Sequence, residues 1–202
     1  MNDSLNAPGD RLIKFKAHIS GLTPLTEEAW LDLKEILFIS EIEEGDYLVK
    51  EGRNMVDEVF VLEGILRAFY DSFEGNEVNV AFYQQASVLP PHYIRTRDNR
   101  SHLNIQALSR TVYAGFNAQD FTALRYKHDC LMKYGNAIVE KDLAYKNERE
   151  ILLLTKTAEE RYMAFREWYP QLENSVPQYH IASYLGITPV SLSRIRRKLI
   201  FE

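Results

Sequence analysis

Four of the five positions from Arg194 to Lys198 are cationic and none is acidic, although the 202-residue chain carries a formal charge of −5. Guanidinium and ammonium groups packed this closely suit the phosphate oxygens of a polyanion, and an arginine fork can also grip a guanine edge bidentately. Just before them, Thr188, Pro189, Val190, Ser191 and Ser193 supply a helix N-cap, a first-turn proline, an apolar tip and two further hydroxyls. The candidate nucleic-acid contacts are therefore Thr188, Pro189, Val190, Ser191, Ser193, Arg194, Arg196, Arg197 and Lys198. Overall acidity argues against blanket binding to nucleic acid, so any polyanion contact, double-stranded DNA included, must be local.

Other chemistries find less support. The histidines His18, His92, His102, His128 and His180 are scattered, with no His-x-His pair of the kind a cupin-like metal-dependent enzyme needs. The single Cys130 can form no internal disulfide, and one thiol cannot hold an iron–sulfur cluster or a Cys-rich zinc site. No Ser/His/Asp arrangement or glycine-rich phosphate loop stands out, so no catalytic residue and no metal ligand is assigned and no enzyme activity is expected.

The elements that must position the cations follow from periodicity. Residues 12–38 predict a helix: "LTEEAWLDLKEIL" spaces Leu25, Trp30, Leu33 and Leu37 near three and four, with Thr26 as N-cap. From Glu41 the pattern becomes short β-branched and aromatic runs broken by Gly45, Gly52, Gly64 and Gly75, which predicts an antiparallel jelly roll or sandwich. "ASVLPPHYIRTRDNR" shows no alternation and predicts a long irregular connection. From Asp120 to Lys156 the pattern is helical throughout, and Leu131, Tyr134, Ile138, Tyr145 and Leu152 lie close to a heptad stripe. A helix of about 25 residues would run about 37 Å, longer than a small domain needs to cover itself. It could pack on its own β-barrel; the expectation is a homodimer with those five residues at the interface.

"TAEERYMAFREWYPQLEN" continues as a shorter helix through Tyr162, Phe165 and Trp168, stopped by Pro170. In "PQYHIASYLGITPVSLSRIRRKL", Ile181, Ala182 and Leu185 face a core before Gly186 permits a turn, and Leu192, Ile195 and Leu199 stripe the next helix. That is a helix-turn-helix. With 46% hydrophobic and 26% charged residues the composition is that of a globular protein. No run approaches the roughly 18 apolar residues of a membrane span, so the expected location is cytoplasmic, away from membranes.

These residues, above all "IASYLGITPVSLSRIRRKL", together with "GDYLVKEG" and "VFVLEGILRAFY", resemble the Crp/Fnr family of bacterial transcription regulators over nearly the whole chain. The resemblance implies an α+β chain: an N-terminal antiparallel β-roll (a jelly roll of the cyclic-nucleotide-binding type), a long dimerisation helix and a C-terminal helix-turn-helix without a clear wing. Its expected boundaries are 1–120 for a sensor domain with N-terminal helices, 121–156 for the dimerisation helix and 157–202 for the DNA-binding domain. It implies a homodimer on a palindromic operator, with RNA polymerase as a candidate protein partner. Arg194 matches the family arginine that reads a guanine, and Thr188 and Ser191 match positions near phosphates. Val190 departs from the family's usual glutamate, so the operator should differ, and the chain stops too soon after Leu199 for a β-wing.

Family members that bind cyclic AMP carry a Gly-Glu pair followed by Arg-Ser or Arg-Thr. Ala86 and Ser87 fall where Gly-Glu would be, and the Arg100–Ser101 step is one residue further from the next strand than the family pattern. Ser87, Val88, Arg100 and Ser101 are the candidate ligand-binding residues. Cyclic AMP is not the expected effector and no cofactor is assigned; an unidentified small-molecule effector stays open. The competing reading is a ligand-binding β-roll module whose C-terminal helices serve protein contact.

Overall fold

The computed structural model describes residues 8–90 and 98–201. Helices α1 (Pro8–Leu22) and α2 (Glu27–Ile36) precede strands β1 (Phe38–Ile42), β2 (Tyr47–Val49), β3 (Asp57–Glu63), β4 (Leu66–Asp71), β5 (Glu77–Tyr83), β6 (Val88–Leu89), β7 (Asn104–Ala107) and β8 (Thr111–Asn117). Helices α3 (Ala118–Lys127), α4 (Asp129–Thr155), α5 (Ala158–Trp168), α6 (Leu172–Ser175), α7 (Gln178–Leu185) and α8 (Pro189–Phe201) follow. The fold is α+β, with the strands in two four-stranded sheets ordered β1-β8-β3-β6 and β2-β7-β4-β5. In the first sheet β8 runs antiparallel between β1 and β3, with Phe38 opposite Gly115 and Phe60 opposite Ala114.

The chain forms two compact units: Met1–Arg67 with Phe82–Asp142, and Ala68–Ala81 with Leu143–Glu202. In the first, the roll unit, Phe15, Ile19, Trp30 and Leu33 of the N-terminal helices pack with Phe60, Leu62, Val112 and Phe116 of the sheet and with Phe121 of α3. Phe15 is fully buried, and truncating such a side chain to alanine costs about 3–5 kcal/mol. In the second unit, α5 packs against both α7 and α8, with Tyr162, Phe165, Leu172, Ile181, Leu185 and Leu192 buried.

Three expectations change. Residues 12–38 form two helices, because Pro24 lacks an N–H donor and biases the residue before it away from the helical region. Thr26 then caps α2, accepting from the Ala29 N–H at 3.2 Å. The helical stretch after Asp120 is likewise broken at His128, which is extended at φ −123° and has its imidazole 2.6 Å from the Asp32 carboxylate. The connection after Ala86 is not wholly irregular, since β6 pairs with β3 through Val59–Leu89 and Phe60–Val88.

The stripe on α4 has neighbours within its own chain. Leu131, Tyr134 and Ile138, expected on a partner-facing seam, are 0, 3 and 8% exposed and belong to the core of the roll unit. Tyr145 and Leu152 are half-buried. Leu131, Tyr134 and Ile138 thus pack within the roll unit, whereas the large apolar residues that α4 leaves exposed are Val139, Leu143, Ile151 and Leu154.

Gly64 shows how tightly the roll closes. It adopts φ +92°, and a Cβ there would meet the Arg110 carbonyl oxygen at 2.5 Å and Thr111 Cα at 2.7 Å, so no other residue fits.

Candidate nucleic-acid interface

The turn between α7 and α8 is built by local chemistry. Gly186 ends α7 in the left-handed region at φ 65°, ψ 37°. Its N–H donates to the Ser183 carbonyl at 3.1 Å, and the Ile187 N–H reaches back to the Ala182 carbonyl at 3.0 Å, which closes a Schellman turn. Thr188 then caps α8: its Oγ1 accepts from the Ser191 N–H at 3.1 Å and lies 2.9 Å from Ser191 Oγ. Pro189 opens the helix, where its missing N–H costs nothing.

Along α8, Leu192 is fully buried and Ile195 and Leu199 are half-buried. Val190, 61% exposed, looks the other way. At about 100° per residue, Val190, Ser193, Arg194 and Arg197 fall within an arc of about 100°. All four are exposed, and Arg194 and Arg197 form no ion pair among the described residues. The result is one apolar tip, one hydroxyl and two available guanidinium groups on a single helix face.

The remaining two cations are engaged within the unit. Arg196 Nε lies 3.1 Å from Glu173 Oε1, and Glu173 Oε2 lies 3.2 Å from Arg166 Nε. The Tyr162 hydroxyl also donates to Glu173, and burial together with that carboxylate pushes its pKa up to about 12. Arg196 is thus a strut between α8 and α6 rather than a free contact. Lys198 sits 2.8 and 3.0 Å from the two oxygens of Glu159 at the start of α5. Glu173 and Glu159 were not legible as partners, because nothing local in the sequence points from α8 to them.

The second half of α4 supports α7. The Tyr145 hydroxyl lies 2.6 Å from those of both Tyr169 and Tyr184, and burial raises the pKa of Tyr145 far above the usual phenol range. Arg149 lies over the Tyr184 ring at 4.6 Å and donates to the Tyr184 carbonyl at 3.1 Å. These bonds tie the helix-turn-helix to the long helix.

The candidate ligand residues have different neighbours. Ser87 caps its own turn, its Oγ accepting from the Gln84 N–H at 3.1 Å, and Val88 pairs with Phe60 in the first sheet. Ala86 adopts φ 67°, a conformation that glycine takes more easily, at the place where the family resemblance expects glycine. Arg100 donates from Nη1 to the Gly52 carbonyl at 2.8 Å, while the Ser101 hydroxyl is buried and donates to the Leu103 carbonyl at 2.6 Å. Ser101 is thus occupied within its own loop. Of the five histidines, His92 lies outside the described residues, and among the described residues no three His, Cys, Asp or Glu side chains gather as a metal site. No described helix is long and apolar enough to cross a membrane.

No family model matches the sequence, and no curated protein does either. Solved structures do resemble it. FixK2 from Bradyrhizobium japonicum superposes with a TM-score of 0.73 at 18% identity, over 82% of this chain and 85% of that one. A protein of Eubacterium rectale assigned to the crp/fnr family of transcriptional regulators gives 0.68 at 16% identity, over 88% and 84%. The c-di-GMP-responsive global regulator CLP of Xanthomonas campestris gives 0.67 at 10% identity, over 86% and 91%. At these identities what is shared is the fold, the same one that the sequence resemblance implied.

Proposed function

We propose that this chain is a sequence-specific DNA-binding transcription regulator of Crp/Fnr type that acts as a homodimer. The observation that carries the reading is the exposed face of α8, where Val190, Ser193, Arg194 and Arg197 share one side of a helix held by a capped helix-turn-helix. In such pairs the second helix enters the major groove with its N-terminal residues at base edges. In this reading Arg194 grips a guanine at O6 and N7, Val190 touches a thymine methyl and Arg197 meets a phosphate. Thr188 and Ser191 start the helix, where N–H groups and hydroxyls favour a phosphate oxygen.

Dimerisation runs through the apolar residues that α4 leaves exposed, Val139, Leu143, Ile151 and Leu154, which share a stripe of about 120° at helical spacing. Two copies related by a twofold axis present their α8 helices to half-sites about one helical turn apart, hence a palindromic operator. RNA polymerase is a candidate partner of that complex. Cyclic AMP is not its effector in this reading, because Ser87 and Ser101 are spent on their own turns and no carboxylate stands at Ser87 to take a ribose hydroxyl. A different small molecule is compatible with the roll.

The test is Arg194→Ala. The variant should fold as the wild type does, keep weak salt-dependent binding to any duplex, and lose about 10- to 100-fold in affinity for the preferred sequence. If the wild type bound no duplex while its C-terminal helices captured a protein partner, the roll would instead be a ligand-binding module with a protein-contact tail.

A further inference from the structure

The two helix breaks, at Pro24 and at His128, meet around a cavity of about 380 Å³ within the roll unit. Thr23 and Thr26 line it from the turn between α1 and α2, and Cys130 and Lys133 line it from the first turns of α4. Thr23 is only 5% exposed, and its hydroxyl oxygen is buried with no hydrogen-bond partner among the described residues. An unpaired buried hydroxyl is costly, and one on the wall of a cavity points to a polar guest.

Cys130 is the one cysteine of the 202 residues and is partly exposed. Its Sγ lies 4.0 Å from Thr26 Oγ1, which also accepts from the Ala29 N–H, so the thiol is seated against the cap of α2. The charges around it are of both signs. Lys127 and Lys133 line the cavity, and so do the carboxylates of Glu28 and Asp129. Lys127 pairs with Asp32 and Lys133 with Asp129, each at 2.6 Å, yet the two lysine side chains are 55 and 66% exposed. Ion pairs this open to water contribute little and exchange readily for another partner. The start of the 27-residue α4 also favours a carboxylate. A guest that carries one carboxylate and one ammonium matches this lining, whereas a neutral guest leaves it unused.

We propose that this cavity is a modification site, in which Cys130 forms a mixed disulfide with half of a small zwitterionic disulfide of the amino-acid type. The thiol first gives its proton to water. The Cys130 thiolate then attacks one sulfur of the incoming disulfide; a new S–S bond to Cys130 forms as the old one breaks, and the departing half leaves as a thiolate that takes up a proton. Cys130 is oxidised and the departing half is reduced, so no further oxidant enters the step. The 202 residues hold no second cysteine to displace the adduct, which therefore lasts until an external thiol reduces it. The Thr23 hydroxyl and the Lys133 ammonium hold the half that stays. The site stands independently of the DNA-binding reading.

The test treats the reduced, intact chain with cystine, each half of which carries one carboxylate and one ammonium, and in parallel with the neutral disulfide of mercaptoethanol. Adduct formation is followed by intact mass on the folded protein and on the same protein unfolded in urea. Relative to the unfolded chain, the folded protein should favour cystine over the neutral disulfide about tenfold. Thr23→Val keeps the side-chain shape and should cut that preference about fivefold without lowering the melting temperature, because the hydroxyl it removes is unpaired. Lys133→Gln should also cut the preference and leave the remainder less sensitive to salt. A folded protein that shows no preference, or that stays unmodified by cystine where the unfolded chain reacts, would overturn the site. A preference that Thr23→Val leaves intact would overturn it as well.

Discussion

At the scale of single residues, the cations of α8 divide into exposed groups and ion-paired struts, and the division predicts different consequences for neighbouring arginines. Arg197→Ala removes the proposed phosphate contact, so it should weaken binding to all sequences alike and flatten the plot of log affinity against log salt by about 1 unit. Arg196→Ala leaves Glu173 half-buried beside Tyr162 and without one of its two cations. It should therefore lower the melting temperature and leave the salt slope unchanged; salt-dependent anisotropy and thermal melts on the two variants separate these outcomes. What was legible at this scale was whatever is local. Thr188 as cap, Pro189 as first residue and Gly186 in the turn announce themselves because each depends on neighbours a few positions away. The strut role of Arg196 was not, because its partner Glu173 is reached only through the packing of α6 against α8. Ser101 was misleading for a similar reason: a serine after an arginine looks like a phosphate grip until its hydroxyl is seen bonded to the Leu103 carbonyl.

At the scale of elements, α4 shows how a correct periodicity can be assigned to the wrong neighbour. Leu131, Tyr134 and Ile138 recur as a seam should, but a helix that covers a β-sheet with one half obeys the same spacing as one that covers a partner. Periodicity names the buried face and is silent on what buries it. The exposed residues are the better guide to assembly, and they predict that Leu143→Glu with Leu154→Glu converts a dimer to a monomer in light scattering at micromolar concentration. Both side chains are solvent-exposed within the chain, so its melting should not suffer beyond the loss of the partner. A wild-type monomer at that concentration would remove the basis for a twofold operator. The breaks at Pro24 and His128 were missed because an apolar stripe continued across them. The strands, by contrast, were legible as a class from their glycine-bounded β-branched runs, although their order in the two sheets was not.

At the scale of the whole molecule, stability should fall with acidification in two stages. His18 is held below its ordinary pKa of 6.5, first by burial and then by the charge of Lys141, and its Nε2 is buried without a hydrogen-bond partner. The folded state therefore favours the neutral ring, so its contribution is complete above 6.5 and declines as pH falls below that value and the unfolded chain takes up the proton. Asp32 is held below its ordinary 3.8 by hydrogen bonds from Lys127 and then His128, so its contribution is complete above 3.8 and is lost below it. Thermal melts across this range should show both stages, and His18→Phe should flatten the upper one without touching the lower.

The central claim, that this chain reads DNA as a dimer through α8, is tested most directly by selecting genomic fragments with the purified protein at one stated salt concentration, with and without cyclic AMP. The account predicts a palindromic motif with half-sites about one helical turn apart, enriched equally under both conditions and abolished by Arg194→Ala. Enrichment of no motif by the wild type would contradict it.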